Sequence, residues 1–238
     1  MTTKRNTKRV RLEDLFVWKR PVVIKDREGN EVTTVYQRVL NDIDQEKARL
    51  AAIRKSHDMR RALRNKDSDE YASVEEHLET QGREQLINII LIQKFPDMYN
   101  RALVEAKTKM PVPPKDADGL EAVENYEAGV DTFDERLNAE VMDLVKKISD
   151  LETERLNGLS ESELIDVARE SLIEQICQNT ATEYFNLWCT YLSTYEDEEC
   201  TERYFNSFDD FNGLVTFLKE QLVQAYKKLT LGPEELKN

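Results

Sequence analysis

Apolar and polar positions follow two different periods along this chain. Near the start, Val22, Val23 and Ile24 are separated from Glu31-Val32-Thr33-Thr34-Val35-Tyr36 by the polar run Asp26-Arg27-Glu28-Gly29-Asn30. Two β-branched runs around a short turn containing glycine predict a β-hairpin. Pro21 cannot donate to a ladder, so the first strand is expected at an edge or to begin there. A lone hairpin is marginal in water and needs a helix or another chain to complete it. Its open edge is a candidate interaction surface.

From Asn41 onward the period is helical. Asn41 suits an N-cap, and Asp42 and Asp44 fall in the first turn, where the helix dipole favours negative charge. This helix is expected to reach Arg64, with Ile43, Leu50, Ile53 and Leu63 as its apolar contributions. Lys47, Arg54 and Arg61 recur every seven residues along it, and Arg60 and Arg64 add to a basic face. A second helix is predicted from Ser68 through the apolar run Ile87–Ile92. Pro96 then restarts the chain at the N-terminus of a shorter helix, where proline is tolerated.

The segment Met110-Pro111-Val112-Pro113-Pro114-Lys115-Asp116-Ala117-Asp118-Gly119 bars helix and favours an extended spacer. It divides the chain into an N-terminal hairpin with helices (1–109), a proline-rich linker (110–119) and a C-terminal acidic helical domain (120–238). Beyond it, Tyr126, Val130, Phe133, Leu137, Val141, Leu144, Ile148 and Leu151 follow at spacings of 4, 3, 4, 4, 3, 4 and 3 residues. That spacing is a coiled-coil-like seam, able to pack within the chain or against a copy of itself. Asn157-Gly158 ends the helix, with glycine just past the last turn. Ser160 with Glu163 forms a capping box that starts another helix, to about Thr194. An acidic loop, Tyr195–Glu202, precedes a last helix capped by Ser207 and bearing Phe211, Leu214, Phe217, Leu218, Leu222, Val223 and Tyr226. The expected fold is mostly α, an N-terminal β-hairpin followed by a helical bundle with long antiparallel helices.

Charge changes this picture. The 238 residues carry a net charge of -13, and 34% of them are charged. Up to Asn65 there are 17 Lys/Arg against 9 Asp/Glu, and from Lys66 onward 17 against 38. The plain reading is that the basic arm and the acidic body attract each other in the fold. The sharper readings are an acidic body meeting a basic client, or a basic arm meeting nucleic acid. Acidic residues interrupt the arm and the pI is near 4.8, so nucleic acid is not the expected partner. No secretory signal and no 18-residue apolar span is recognisable, so membrane insertion and secretion are not expected. Three cysteines fit a reducing compartment better than a disulfide framework.

Chemistry is sparse. His57 and His77 each lack a second ligand type nearby, and no H-E-x-x-H, C-x-x-C or EF-hand pattern occurs. There is no glycine-rich phosphate loop and no G-x-S-x-G elbow. With 47 Asp and Glu residues, coincidental carboxylate pairs are inevitable and nominate no acid/base dyad. No catalytic, cofactor-binding or metal-ligating residue is therefore nominated, and the chain is not expected to be an enzyme or to carry a cofactor. Aromatic residues at helical spacing read as core, and Phe208, Phe211 and Tyr226 are assigned there. The candidate partner contacts are Trp18, the turn at Gly29, and the basic positions Lys47, Arg54 and Arg61.

Two stretches carry a resemblance. The first comprises Arg9–Phe16, Tyr36–Asp42, Ala48–Ser56 and Arg60–Arg64. The second comprises Tyr204–Phe208, Leu218–Leu222, Tyr226 and Leu229–Asn238. Together they resemble the tail assembly chaperone-like proteins of long-tailed bacteriophages, over well under half of the chain and with no catalytic motif. The resemblance implies an assembly factor of the host cytoplasm that coats the long helical tape measure protein, helps recruit tail tube subunits and is absent from the finished particle. Two alternatives stand beside it: a structural tail or connector protein, and an acidic inhibitor that imitates nucleic acid to block a host factor. Self-association is compatible with each.

Overall fold

The computed structural model describes residues 19–111 and 120–230, with side chains at 120–125, 127, 131, 134 and 135 left aside. Its elements are β1 (Lys19–Lys25), β2 (Glu31–Arg38), α1 (Asp42–Arg64), α2 (Asp69–Glu79), α3 (Arg83–Lys107), α4 (Leu120–Asn157), α5 (Glu161–Ser193), β3 (Thr194–Tyr195), α6 (Phe208–Asn212) and α7 (Thr216–Thr230). The chain is mostly α with an N-terminal hairpin. Among the described residues no helix is long and apolar enough to cross a membrane.

Packing divides the chain into two compact units, one of residues 1–59 with 178–238 and the other of residues 60–177. The boundary falls within α1 and α5. It does not fall at the proline-rich segment expected to separate two halves, because strands and helices from both ends of the chain share one core. Residues 112–119 of that segment lie outside the described residues.

In the first unit β1 and β2 pair antiparallel from Lys19↔Arg38 to Lys25↔Glu31, with an irregularity between Ile24 and Lys25. β3 adds to β2 through Tyr36↔Tyr195 and Gln37↔Thr194, in the order β1-β2-β3. The start of the expected acidic loop is thus a short strand, and both Thr194 and Tyr195 are buried. Beyond it the chain bends back through Glu196 N–H to Glu202 C=O at 2.9 Å. The Asp197 carboxylate accepts there from the backbone N–H groups of Thr201 and Glu202. β1 is an edge strand, in keeping with Pro21. The inner sheet face carries Val22, Ile24 and Val35 against Phe205, Phe211 and Leu222. α7 is tied to that face by Gln37 Nε2 donating to Leu222 C=O at 3.0 Å. Gln221 also accepts from the Lys25 N–H and donates to the Lys25 C=O. The hairpin is therefore completed from within the chain.

α1 departs from its expected apolar face. Asn41 caps it as predicted, accepting from Asp44 N–H at 2.8 Å, and Leu63 is buried. Ile43, Leu50 and Ile53 are exposed, however, while Ala48 and Ala52 are buried. Ala48 packs with Leu40, Cys189, Leu192 and Tyr226. Small side chains allow a close backbone approach that the larger ones would block.

In the second unit α3 and α4 run antiparallel. Lys94 bonds to Glu152 and Lys109 to Glu140, and Ala102, Ala106, Val141, Leu144 and Val145 form the core between them. The expected seam is thus satisfied within the chain from Leu137 to Ile148, while Leu151 is exposed. Arg83 at the start of α3 donates to the carbonyls of Leu156, Asn157 and Leu159, capping the end of α4 with a cation.

Three helix boundaries differ from expectation. The helix begun at Ser68 breaks after Glu79, because Gly82 adopts an extended conformation and serves as the N-cap of α3. Pro96 lies inside α3 and starts no new helix. It is exposed, as is Ile92 four residues earlier, so the carbonyl left without a helical donor lies on a wet face. The expected last helix is two, with the Ser207–Asp210 capping box opening α6 and Gly213 ending it. The Ser160–Glu163 capping box forms as predicted.

Candidate partner-binding surfaces

The first unit carries an open apolar groove of about 310 Å³ where the tip of the hairpin meets the turn between α6 and α7. The local sequence explains why it stays open. Asp26 accepts from both the N–H and the side-chain amide of Asn30, and Gly29 turns the chain at φ +89°. A β-carbon at Gly29 would meet nothing within 4 Å, so the tip projects freely and its glycine is required by the backbone conformation. Val32 just beyond the turn is 63% exposed. On the opposite wall Val215 is 59% and Phe217 38% exposed. The floor is Ile24, Val35, Phe205 and Leu222, all buried. Asp26 and Arg27 place one charge of each sign at the hairpin side of the groove.

A second groove of the same unit, about 470 Å³, lies between α1 and α5. It brings together two of the sequence-predicted residues, Lys47 and Arg54, one face of α1 apart by two turns. Lys47 also pairs with Asp44 at 2.9 Å. Arg54 has no ion-pair partner among the described residues. Lys55 stands 6.0 Å from the centre of the Tyr184 ring, and Trp188 completes the wall. Trp188 is itself stacked on Phe208, with centroids 4.6 Å apart and planes 10° apart. Lys55 over the Tyr184 ring, with Lys47 and Arg54 along the same groove and Asp58 as the one acidic group lining it, leaves this groove with an excess of cations beside aromatic surface.

A buried polar clasp fixes the elements around these grooves. Asp44 is 4% exposed and binds Arg203 at 2.7 Å as well as Lys47. Burial alone raises its pKa, but the hydrogen bonds and charges of Lys47 and Arg203 outweigh this and hold it below the usual value. Arg203 and Arg38 lie over the buried Tyr195 ring, 4.6 and 4.8 Å from its centre. Burial raises the Tyr195 hydroxyl's pKa, opposed by those two guanidinium groups. Nearby, burial pushes the Cys189 thiol up to about 12, eased by the Tyr226 hydroxyl that bonds it.

The remaining sequence-predicted contacts separate from these. Trp18 lies outside the described residues. Arg61 is exposed in the second unit. Its neighbours Arg60 and Arg64 pair with Glu174 and Glu170, so this end of the basic face binds acidic residues of the chain itself. No protein-family model, curated protein or solved structure matches this chain. Among the described residues no group of three or more His, Cys, Asp or Glu side chains is placed to hold a metal ion. The groove residues Val32, Val215 and Phe217 escaped the sequence reading. Val32 alternates as any strand residue does, Phe217 is expected among the apolar residues of one continuous last helix, and Val215 falls inside that helix with no role of its own.

Proposed function

We propose that this chain is a non-catalytic tail assembly factor of a long-tailed bacteriophage, working in the host cytoplasm by holding amphipathic helices of the tape measure protein, with tail tube subunits as a further partner. The observation that carries the reading is the open apolar groove between the hairpin tip and the α6–α7 turn. An amphipathic helix lays side chains spaced by three and four residues into such a groove, and its polar face meets the charged rim. The exposed walls Val32, Val215 and Phe217 supply apolar area that a client would cover. The distribution of the resemblance supports the same unit. Tyr36–Asp42, Ala48–Ser56, Tyr204–Phe208 and Leu218–Leu222 come from opposite ends of the chain and fold into one compact unit, while Arg60–Arg64 belongs to the other and Arg9–Phe16 lies outside the described residues. The strongly acidic composition keeps a complex with an aggregation-prone client dispersed through charge repulsion.

The test is co-expression of the full chain with the tape measure protein encoded in the same genome, reading the fraction of that protein in the supernatant. The reading expects the wild-type chain to raise that fraction and to co-purify with it, and Val215→Asp with Phe217→Asp to abolish both effects. Those two positions are exposed, so the buried Phe211 core is left intact. A tape measure protein that stays insoluble with the wild-type chain contradicts the reading. Recovery of the chain in purified particles favours the structural alternative instead.

A further inference from the structure

We infer that the α3–α4 pair of the second unit is a self-complementary surface that takes a second copy of this chain in antiparallel orientation. The surface is an open cavity of about 420 Å³ on one side of the helix pair, distinct from the grooves of the first unit. Ile92 and Phe95 on α3 and Met142 on α4 stand around it at 60%, 45% and 53% exposure. Its floor, Met98 and Val145, is buried. Large apolar side chains gathered around one cavity mark an interaction surface more than isolated ones do.

The charge pattern at the rim selects the occupant. Lys146 and Asp150 line the same cavity one helical turn apart on α4. Neither has an ion-pair partner among the described residues, although Lys94, Lys109, Glu140 and Glu152 along the same helix pair are all matched within the chain. A rim carrying one positive and one negative group in series is its own complement after a two-fold rotation perpendicular to the helix. Such an operation makes residue i meet j while j meets i. A two-fold axis passing between Lys146 and Asp150 sets Lys146 of each copy against Asp150 of the other, forming two cross pairs at once. A parallel copy in register would set like charge on like. The same axis carries Met142 to the level of the second copy's Ile92, because Lys94 stands opposite Glu152 in the α3–α4 pair. Apolar groups then meet apolar groups where the charges meet their opposites. The result is a four-helix arrangement of two helical hairpins.

This inference is independent of the client-binding reading. Its test is sedimentation velocity of the full chain over a range of concentrations, with helix content followed in parallel. The wild-type chain is expected to dimerise. Lys146→Glu and Asp150→Lys are each expected to weaken the dimer by about tenfold or more, since each creates two like-charge contacts. The double variant K146E/D150K is expected to recover wild-type association, because reversing both charges restores the antiparallel match. Recovery cannot arise from a misfolded single variant, which keeps the test separate from folding. A wild-type chain that remains monomeric overturns the inference. So do single reversals that leave the dimer unchanged, or a double variant no better than either single one.

Discussion

The two units of this molecule hold themselves together in different ways. The first joins sheet and helices over an aromatic core, in which Phe205, Phe208, Phe211, Tyr191 and Trp188 meet edge-on, stacked or tilted. Its polar fastenings centre on buried groups, Asp44 between the exposed Lys47 and the partly buried Arg203, and Gln37 on the backbone of α7. The second unit packs aliphatic and alanine side chains along paired helices. Its polar fastenings are largely ion pairs on or near the surface, Arg64–Glu170 and Arg169–Glu75 among them. Buried polar contacts depend strongly on their partners, since a group stripped of its partner is left desolvated. Exposed pairs are cheap to lose. The first unit is therefore the one that single substitutions disturb most, and it is also the one with the open apolar groove.

The largest effect is expected in the aromatic core. Phe211 is fully buried at the meeting point of sheet, α5 and α7. Phe211→Ala should cost about 3–5 kcal/mol by the loss of a buried aromatic and the cavity left behind. Denaturant unfolding followed by tryptophan fluorescence and far-UV circular dichroism measures it. Val141→Ala in the second unit removes less volume and should cost about half as much or less. A larger loss at Val141 than at Phe211 would break the contrast.

Next comes the buried clasp. Asp44→Asn keeps the shape and removes the charge, leaving the partly buried Arg203 without its anion. The cost should be about 2 kcal/mol, reduced from that of a fully buried pair because Arg203 retains some solvent contact. Comparison of denaturation midpoints for the wild-type and variant chains checks it.

A pH dependence follows in the second unit. Hydrogen bonds from Arg155 come first among the causes that hold Glu152 down to about 2, with Lys94 adding to them and burial opposing. A carboxylate depressed in the folded state contributes stability that is present above its unfolded pKa and is lost as pH falls. Stability should therefore decline between about pH 4.5 and pH 2, the interval between the ordinary glutamate value and the folded one. Glu152→Gln should flatten that part of the profile, as read from thermal unfolding at a series of pH values. An unchanged slope would mean that Glu152 is not held by these partners. The smallest effect belongs to Arg64→Ala, whose 2.6 Å pair with Glu170 is exposed on both sides. It should shift stability by at most about 0.5 kcal/mol.

The same contrast explains what could be read in the sequence. The hairpin, the caps at Asn41, Ser68, Ser160 and Ser207, and the Leu137–Ile148 seam are local patterns, each written within a few turns or strand residues. They appear in the structure where the pattern places them. Features that depend on distant partners were not legible. Gln37 and Leu222 are 185 positions apart and meet in the core. β3 is two residues long, too short to carry a period. The alanine face of α1 was masked by larger neighbours, and Pro96 was outweighed by packing on both sides of it, where Ile90 and Met98 are buried. The open apolar groove belongs to the illegible class, since its walls come from residues 24–35 and 204–222. Lys47 and Arg54 were found because they share one helix.

The proposed client helix would lie in the groove between the hairpin tip and the α6–α7 turn. Hydrogen exchange of the full chain, alone and in its purified complex with the tape measure protein, tests it most directly. The account predicts slowed exchange at the amides of Ile24–Val35 and Leu214–Leu222. A complex that forms without added protection in those two segments would contradict it.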